Sequence, residues 1–196
     1  MNQYASRASV FIGTRLFLMA AMTVAVHARA ENLLPAFGDE GEDFSHDASD
    51  SHKISGWLPK DWVDNSEWAA VSAKYSKLPA ADAPKQGVTA LRIEVKDVSS
   101  GQLQLTSWAG KTNFSKGGKY AVQGWVRSKE SIGIMVGARQ QGDPYEFYAQ
   151  EDLSTESKWQ PFKFEFSFDE EKEAVIMFVV KETGIVDLAG VTCAKQ

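Results

Sequence analysis

The sequence predicts an all-β protein, an antiparallel β-sandwich or barrel, from three features. From Gly87 onward, short segments alternate apolar and polar residues with the period of two that a half-buried strand requires. Clusters of glycine, serine, aspartate and proline separate these segments, as turns do. No long segment after residue 30 keeps the 3.6-residue period of an amphipathic helix. Many short strands joined by turns favour packed antiparallel sheets.

The first 30 residues have the pattern of a secretory signal. Two basic residues, Arg7 and Arg15, precede the apolar run Leu16–Val26, and small residues follow in the motif ARA at 28–30. The run has 11 residues, whereas a membrane-spanning helix needs about 20. A retained anchor is the alternative. We expect a cleaved signal helix, a mature chain that begins at Glu31, and a secreted or periplasmic location.

Composition limits the partners of the mature chain. Loss of the three signal arginines lowers the net charge from −5 to −8, so neither nucleic acid nor an anionic membrane meets an attractive field. Cys193 is the only cysteine, and no intrachain disulfide can form. The 166 remaining residues suffice for one domain, 31–196, with its own core. We expect a monomer that binds no nucleic acid and does not insert into a membrane.

Four segments alternate clearly enough to predict which side chains face the core. The clearest is PFKFEFSF, in which four phenylalanines alternate with Lys163, Glu165 and Ser167. A continuous apolar run, Ala174–Val180, suits a strand buried on both faces, although periodicity alone leaves a helix open. The predicted core-facing residues of the four segments are Leu91, Ile93, Val95, Leu103, Leu105, Ile132, Ile134, Val136, Phe162, Phe164, Phe166 and Phe168.

The segment KYAVQGWVRS, at 119–128, predicts a strand with one apolar and one polar face. Tyr120, Val122 and Val126 share one parity. The other parity carries Gln123, Trp125 and Arg127, a tryptophan between an amide and a guanidinium. That second face is either a solvated surface with a packed ring or a binding surface.

The region from Glu31 to about Lys85 lacks this alternation, and we expect irregular structure there. Its stretch Asp39–His52 collects six carboxylates and two histidines without the spacing of an EF-hand or zinc site, which favours a mobile, solvated acidic loop. Three tryptophans follow. We interpret Trp57, Trp62 and Trp68 as core plugs or loop anchors, with a minor possibility that Trp62 lies at the rim of a site.

Six stretches follow one another along the chain: ENLLPAFGDE, SGW, TALRIEV, KYAVQGWVRS, LSTESKWQPFKFEF and GIVDLAGV. Taken in this order, they resemble the CenC-type carbohydrate-binding modules. The resemblance covers nearly all of 31–196, and the order of the stretches carries it, since no one of them is specific. It implies a jelly roll of the galactose-binding-like group, with a cleft on one sheet that binds a polysaccharide or oligosaccharide chain.

The resemblance also implies which face meets the sugar. In this family the strand equivalent to 120–128 typically offers its polar and aromatic parity to solvent or ligand, so that Trp125 could be the stacking platform. Gln123 and Arg127 would then supply directed hydrogen bonds. Arg139 and Glu94, on neighbouring segments, are weaker candidates for the same ligand. Packing of Trp125 beneath a loop or in the core is the alternative interpretation.

The resemblance further implies a structural calcium, but the sequence departs from the family there. Ala189 and Gly190 stand where the family carries acids near its C-terminus, and Asp187 occupies a position that is often aromatic. Hard cations need several oxygen ligands, carboxylates among them. Asp39 and Glu40 are weak candidate ligands, and the sequence argues against calcium.

Three functions remain open at this stage. The leading one is a secreted, non-catalytic carbohydrate-binding domain, and the second is a structural or adhesive domain that binds protein. The third is a small glycan-active enzyme, for which Glu94, Glu146 and Glu165 are candidates by position only. The sequence has no nucleophile elbow, no HExxH motif and no phosphate-binding glycine loop. We therefore expect no catalytic residues and no enzyme activity.

Overall fold

A computed structural model describes residues 31–107 and 112–196 of the chain. These residues form thirteen strands and two short 3₁₀ turns, Ser49–Ser51 and Ala80–Asp82. The predicted signal segment, 1–30, lies outside the described residues. The strands are β1 Gly41–Asp47, β2 Lys53–Pro59, β3 Val63–Asp64, β4 Ala70–Lys77, β5 Ala90–Ser100, β6 Leu103–Thr106, β7 Thr112–Phe114, β8 Lys119–Ser128, β9 Ile134–Arg139, β10 Phe147–Leu153, β11 Gln160–Ser167, β12 Lys172–Val180 and β13 Gly184–Lys195.

The strands form two sheets. A seven-stranded sheet has the order β1-β2-β4-β5-β13-β8-β11, and a six-stranded sheet comprises β10-β9-β12-β6-β3 with β7 paired to β12. Every described pair is antiparallel except β2 with β4. Most of the connections cross from one sheet to the other, as in a jelly roll. The predicted all-β sandwich is confirmed, and no helix within the described ranges is long and apolar enough to cross a membrane.

The inner faces of both sheets bury the side chains that alternation assigned to the core. All twelve predicted core-facing residues are buried. On β11 the three intervening residues, Lys163, Glu165 and Ser167, are exposed, so the predicted register is confirmed. Aromatic rings fill one end of the core, where the Phe114 ring meets Tyr120 edge-on at 4.8 Å between centroids. Each such ring contributes a large apolar area to the core.

Strand β12 is buried on both faces, as its continuous apolar run predicted. It lies between β9 and β6 in the six-stranded sheet. Its inward residues, among them Ile176 and Phe178, join the main core. Its outward residues Met177 and Val179 form a smaller apolar cluster with Met135 of β9. These residues cover part of the outer face of the six-stranded sheet, and other side chains can pack on them.

The region predicted to be irregular contains four strands, β1 to β4, so that prediction was wrong for these segments. Residues 41–47, assigned to a solvated acidic loop, form the edge strand β1, which pairs with β2 along its whole length. An edge strand has one neighbour, and the acidic side chains of β1 point to solvent. Phe44 packs against the core, and His46 Nε2 lies 3.2 Å from Asp64 Oδ1 of β3. Two inward residues were too few to reveal the alternation.

The tryptophans of this region divide between core and surface. Trp62 is buried, with its ring edge-on to Phe37 at 5.2 Å, so the suggested rim position for it was wrong. Trp68 follows a turn that Asp64 holds by accepting a hydrogen bond from the Ser66 amide at 2.9 Å. The Trp68 side chain projects from that turn into solvent, so of its two suggested roles, core plug or loop anchor, the core plug was wrong.

Candidate functional site

A cleft of about 470 Å³ opens on the outer face of the six-stranded sheet. We call it the aromatic cleft. Strands β6, β9 and β10 supply its floor, and the turns that follow β3 and β9 supply its rim. The residues that line it are Asn65, Trp68, Gln102, Gln104, Arg139, Tyr145 and Phe147.

The alternation of two strands aims the polar floor residues outward. Gln104 lies between Leu103 and Leu105, which face the core, so its amide must point to the outer face. Arg139 follows the inward Ala138 on β9 for the same reason. Strand β12 separates the two, since Val179 pairs with Gln104 and Val175 pairs with Arg139. The floor is therefore polar across two strands with an apolar strip between them.

The rim carries two exposed aromatic rings. Trp68 is 56% exposed and Tyr145 is 51% exposed, and no other large hydrophobic side chain among the described residues is as exposed. The indole Nε1 of Trp68 donates to the Asn65 carbonyl at 3.0 Å, which fixes the ring. Tyr145 closes a turn by donating its amide to the Gly142 carbonyl at 2.7 Å. The turns thus fix the ring of Trp68 and the backbone of Tyr145, and both rings face solvent.

A hydrogen-bond network joins the floor to the rim. Gln104 Oε1 accepts from Asn65 Nδ2 at 2.8 Å and from Arg139 Nη1 at 3.2 Å. Arg139 Nε donates to the Tyr145 carbonyl at 3.3 Å, and its guanidinium lies 4.8 Å from the centre of the Tyr145 ring. The Arg139 side chain is 6% exposed, and this burial lowers its pKa from the ordinary value. The cleft holds its polar groups in fixed positions.

A glycine on β9 makes room for one wall of the cleft. A Cβ atom at Gly137 would lie 2.7 Å from the Phe147 ring and 2.9 Å from the Ala149 carbonyl oxygen. Contacts that short do not occur in folded proteins, so a side chain here would displace the ring or strand β10. Gly137 therefore allows Phe147 to lie flat against the sheet, where it packs on the cluster of Met135, Met177 and Val179.

The five residues predicted to bind ligand divide between the two outer faces. Trp125, Gln123 and Arg127 lie together on the outer face of β8, and Glu94 lies on β5 of the same seven-stranded sheet. Arg139 lies on the other sheet, in the aromatic cleft. The structure therefore brings four of them to one face and separates the fifth. Their role in ligand binding stays a prediction.

On the seven-stranded sheet the predicted platform is partly covered. Trp125 is half-buried against the cluster of Leu78, Ala90 and Ala189, and Lys85 Nζ lies 4.7 Å from the centre of its ring. The Arg127 guanidinium stacks 4.5 Å from the centre of the Trp159 ring. Its Nε also donates to Asp187 Oδ2 at 2.7 Å. The aromatic and charged groups of this face are thus largely engaged with one another.

Asp187 is the centre of this arrangement. It is 2% exposed and receives two hydrogen bonds from Arg92, at 2.8 and 2.9 Å, besides the one from Arg127. The buried carboxylate raises the pKa of Arg92 by hydrogen bonding. Three strands, β5, β13 and β8, are joined through it. Asp187 therefore stabilises the sheet where the family resemblance implied an aromatic residue.

The weak metal candidates have protein partners. Asp39 Oδ1 lies 2.8 Å from Lys77 Nζ and accepts from Thr89 Oγ1 at 2.7 Å, and these contacts lower the pKa of Asp39. Glu40 follows it at an exposed position. Within 31–107 and 112–196, no three histidine, cysteine or carboxylate side chains come close enough together to hold a metal ion.

Sequence reasoning found only one residue of the aromatic cleft, Arg139. It missed the two exposed rings because both lie in turns, where periodicity carries no information. Two signals were available. Gln102 and Gln104 form a polar parity opposite buried leucines, and the turn GDPYEF presents an aromatic residue, Tyr145, directly after turn-forming residues.

Comparison with solved structures finds similar folds, whereas no family model and no curated protein matches the sequence. The chain is similar to a CBM4 carbohydrate-binding module, with 17% identity over 62% of this chain and 86% of that one, at a TM-score of 0.49. It is similar to the C-terminal family 22 carbohydrate binding module of Clostridium thermocellum Xyn10B, with 11% identity over 69% and 86%, at 0.47.

A third similarity is to the enzymatically active domain of tailspike protein 4 from bacteriophage CBA120. It has 11% identity over 70% of this chain, a TM-score of 0.51, and covers 20% of the phage chain. At such identities the likeness is one of fold. Carbohydrate-binding modules are thus among the solved structures that this chain resembles, and the CenC type itself stays a prediction.

Proposed function

We propose that this protein is a secreted, non-catalytic binding protein for polysaccharide or oligosaccharide chains, and that the aromatic cleft is its binding site. One observation carries the proposal: two exposed rings, Trp68 and Tyr145, flank a floor of amide and guanidinium groups. The family resemblance of the sequence, which implied a glycan-binding cleft on one sheet, is consistent with it.

The chemistry of a sugar ring matches this arrangement. A pyranose has an apolar C–H face that stacks on an aromatic ring and a rim of hydroxyl groups that need donors and acceptors. In the cleft the rings of Trp68 and Tyr145 supply stacking surfaces, and Gln102, Gln104 and Arg139 supply hydrogen bonds. Because strands and short turns hold these groups, binding orders little that is mobile in the free protein.

The composition of the cleft supports a non-catalytic role. Glycoside hydrolysis ordinarily uses two carboxyl groups that flank the scissile bond. Among the described residues that line the cleft there is no aspartate, glutamate or histidine. Its groups can bind and orient a sugar, but they do not include the pair of carboxyl groups that ordinary glycoside hydrolysis uses.

Secretion is part of the proposal and rests on the signal pattern of residues 1–30. Intact-mass measurement of exported protein tests it. A chain that begins at Glu31 agrees with export and cleavage, whereas a chain that retains the run Leu16–Val26 contradicts it.

Glycan binding is tested with a panel of soluble β-glucans, xylans, mannans and uronate-containing polysaccharides. Affinity electrophoresis identifies ligands, calorimetry gives dissociation constants, and a reducing-sugar assay detects turnover. We expect binding without turnover. Trp68→Ala should weaken binding about ten-fold or more, since loss of an aromatic stacking platform typically costs a few kcal/mol. It should melt like the parent, because an exposed ring leaves no cavity.

Trp125→Ala is the matched control, a tryptophan on the outer face of the other sheet. We expect it to retain glycan binding and to lose some stability, because its ring packs against Ala189. If Trp125→Ala abolishes binding while Trp68→Ala does not, the glycan binds on the seven-stranded sheet and the cleft assignment is wrong. If no polysaccharide binds, the proposed function itself fails.

A further inference from the structure

We infer that the ligand of the aromatic cleft is an acidic glycan, one whose uronic acid carboxylate or sulfate ester pairs with Arg139. This inference rests on the proposed function and names the class of sugar that the cleft binds. The observation behind it is a buried guanidinium at the floor of the cleft whose protein partners are all uncharged.

The partners of Arg139 do not neutralise its charge. Its hydrogen bonds go to the Gln104 side-chain oxygen, to the Tyr145 carbonyl and, at 3.4 Å, to the sulfur of Met177. None of the ion pairs found among the described residues includes Arg139. A buried charge ordinarily has an opposite charge beside it, because leaving water is otherwise expensive.

The other sheet shows what a structural arginine looks like in this protein. Arg92 and Arg127 are both more exposed than Arg139, and both bind the buried carboxylate of Asp187. On that sheet one carboxylate, Asp187, neutralises two arginines at once. Arg139 is more deeply buried and lacks one, which is expected where a ligand supplies the negative charge.

The geometry leaves a donor for that ligand. The described hydrogen bonds of Arg139 use Nε and Nη1, and no described residue accepts from Nη2. Arg139 lines the cleft, and the polar residues beside it, Asn65, Gln102 and Gln104, are neutral amides. An anionic oxygen that reaches Nη2 would form a charge-assisted hydrogen bond, about twice as strong as a neutral one. No neighbouring carboxylate in the cleft would repel it.

The overall charge makes the inference specific. The chain carries a net charge of −5, so its long-range field repels a polyanion. Preferential binding of an acidic glycan would therefore report a local contact and not general attraction. A charged glycan can therefore be compared with its neutral counterpart, and tighter binding of the charged one indicates a local contact.

The test measures dissociation constants for matched pairs of polysaccharides. Polygalacturonate, alginate and glucuronoxylan are each compared with the carboxyl-reduced product, and a sulfated galactan is compared with its desulfated form. We expect the charged member of at least one pair to bind about ten-fold more tightly, the effect of one hydrogen bond to a charged group. The uronate and sulfate pairs distinguish the two sources of negative charge.

Variants assign the preference to a residue. Arg139→Gln should remove the difference within the pair, Arg139→Lys should retain part of it, and Trp68→Ala should weaken both members alike. A preference that persists in Arg139→Gln overturns the role of Arg139. If the charged and neutral members bind the parent equally, the inference fails while the proposed function stands. If no member of any pair binds, the inference fails, and the proposed function fails with it only if the β-glucans, xylans and mannans do not bind either. If Arg139→Gln does not fold, the comparison on the parent still decides whether the ligand is acidic, and Arg139→Lys decides whether Arg139 contributes to the preference.

Discussion

The outer faces of the two sheets carry the same kinds of side chain in opposite states. On the seven-stranded sheet, Arg127 stacks on Trp159 and binds Asp187, and Trp125 is half-buried beneath Lys85. On the six-stranded sheet, Arg139 has no carboxylate partner among the described residues, and Tyr145 beside it is exposed. Aromatic residues next to arginine are therefore no mark of a binding site by themselves.

What separates the two faces is the neighbouring strand. Strand β13 brings a carboxylate between the arginines of β5 and β8. Strand β12, in the corresponding place between β9 and β6, brings Met177 and Val179. The charged groups of the seven-stranded face pair with one another, whereas the polar groups of the six-stranded face can contact a ligand in the cleft. We therefore expect substitutions on the seven-stranded face to change stability and substitutions on the six-stranded face to change glycan binding.

The largest expected effect is at Asp187. Asp187→Asn leaves Arg92 and Arg127 partly buried without their shared carboxylate. We expect a loss of roughly 2–4 kcal/mol in the free energy of unfolding, somewhat below the range for fully buried pairs because both arginines keep some solvent contact. Urea denaturation measures it, and glycan binding by the folded fraction should be unchanged.

The control for that prediction is Glu165→Gln, which removes an exposed carboxylate from its pair with Lys163. Surface pairs contribute about 0–1 kcal/mol, so this variant should unfold nearly like the parent. If Asp187→Asn and Glu165→Gln have equal stability, the ion pairs of the seven-stranded face do not stabilise the fold.

A smaller change in stability, either close to zero or stabilising, is expected at Arg139. Arg139→Met removes a buried charge that has no carboxylate partner and keeps the apolar stem. We expect the free energy of unfolding to stay within about 1 kcal/mol of the parent or to rise, because desolvation of the charge is no longer required. Thermal melting of the two proteins measures it. A loss comparable to that of Asp187→Asn would show that Arg139 is a structural residue and remove the contrast between the faces.

The smallest effect concerns the contact between the sheets at His46. The Asp64 carboxylate, 3.2 Å from Nε2, raises the pKa of His46 above its ordinary value of 6.5, and Asp97 does the same for the half-buried His52. A raised folded-state pKa stabilises the protein below pH 6.5, and this contribution is lost as the pH rises through the folded pKa. We expect melting temperature to fall across that window.

His46→Gln identifies the source of the pH dependence, since it removes the titrating group at the contact between β1 and β3. The variant should show a shallower fall in melting temperature above pH 6.5 than the parent. Parallel curves for the two proteins would mean that other groups govern the pH dependence in this range.

Alternation along single segments predicted much of the fold. The phenylalanines of β11 and the apolar run of β12 are buried as expected, since burial of a strand residue depends on parity within its own segment. Strand β1 was missed because an edge strand with two inward residues shows almost no alternation. Its pairing depends on β2, which lies in another segment.

The candidate site was less predictable for a related reason. Parity states that Arg139 and Trp125 point outward, but it does not state from which sheet. The cleft joins a turn near Asn65, the polar parity of β6 and a turn near Tyr145, three segments far apart in the chain. Only the order of the strands in the sheet brings these segments together. That order depends on pairing between distant segments, which a local sequence pattern does not reveal.

The place of strand β13 has a consequence for the order of events during synthesis. Gly184–Lys195 pairs with β5 on one side and β8 on the other, so it fills the middle of the seven-stranded sheet. Until that segment emerges from the ribosome, β5 and β8 each expose an unpaired edge, which invites association with other chains. The chain must stay unfolded or be shielded until then, and a translocation pathway that transports unfolded chains would meet this requirement.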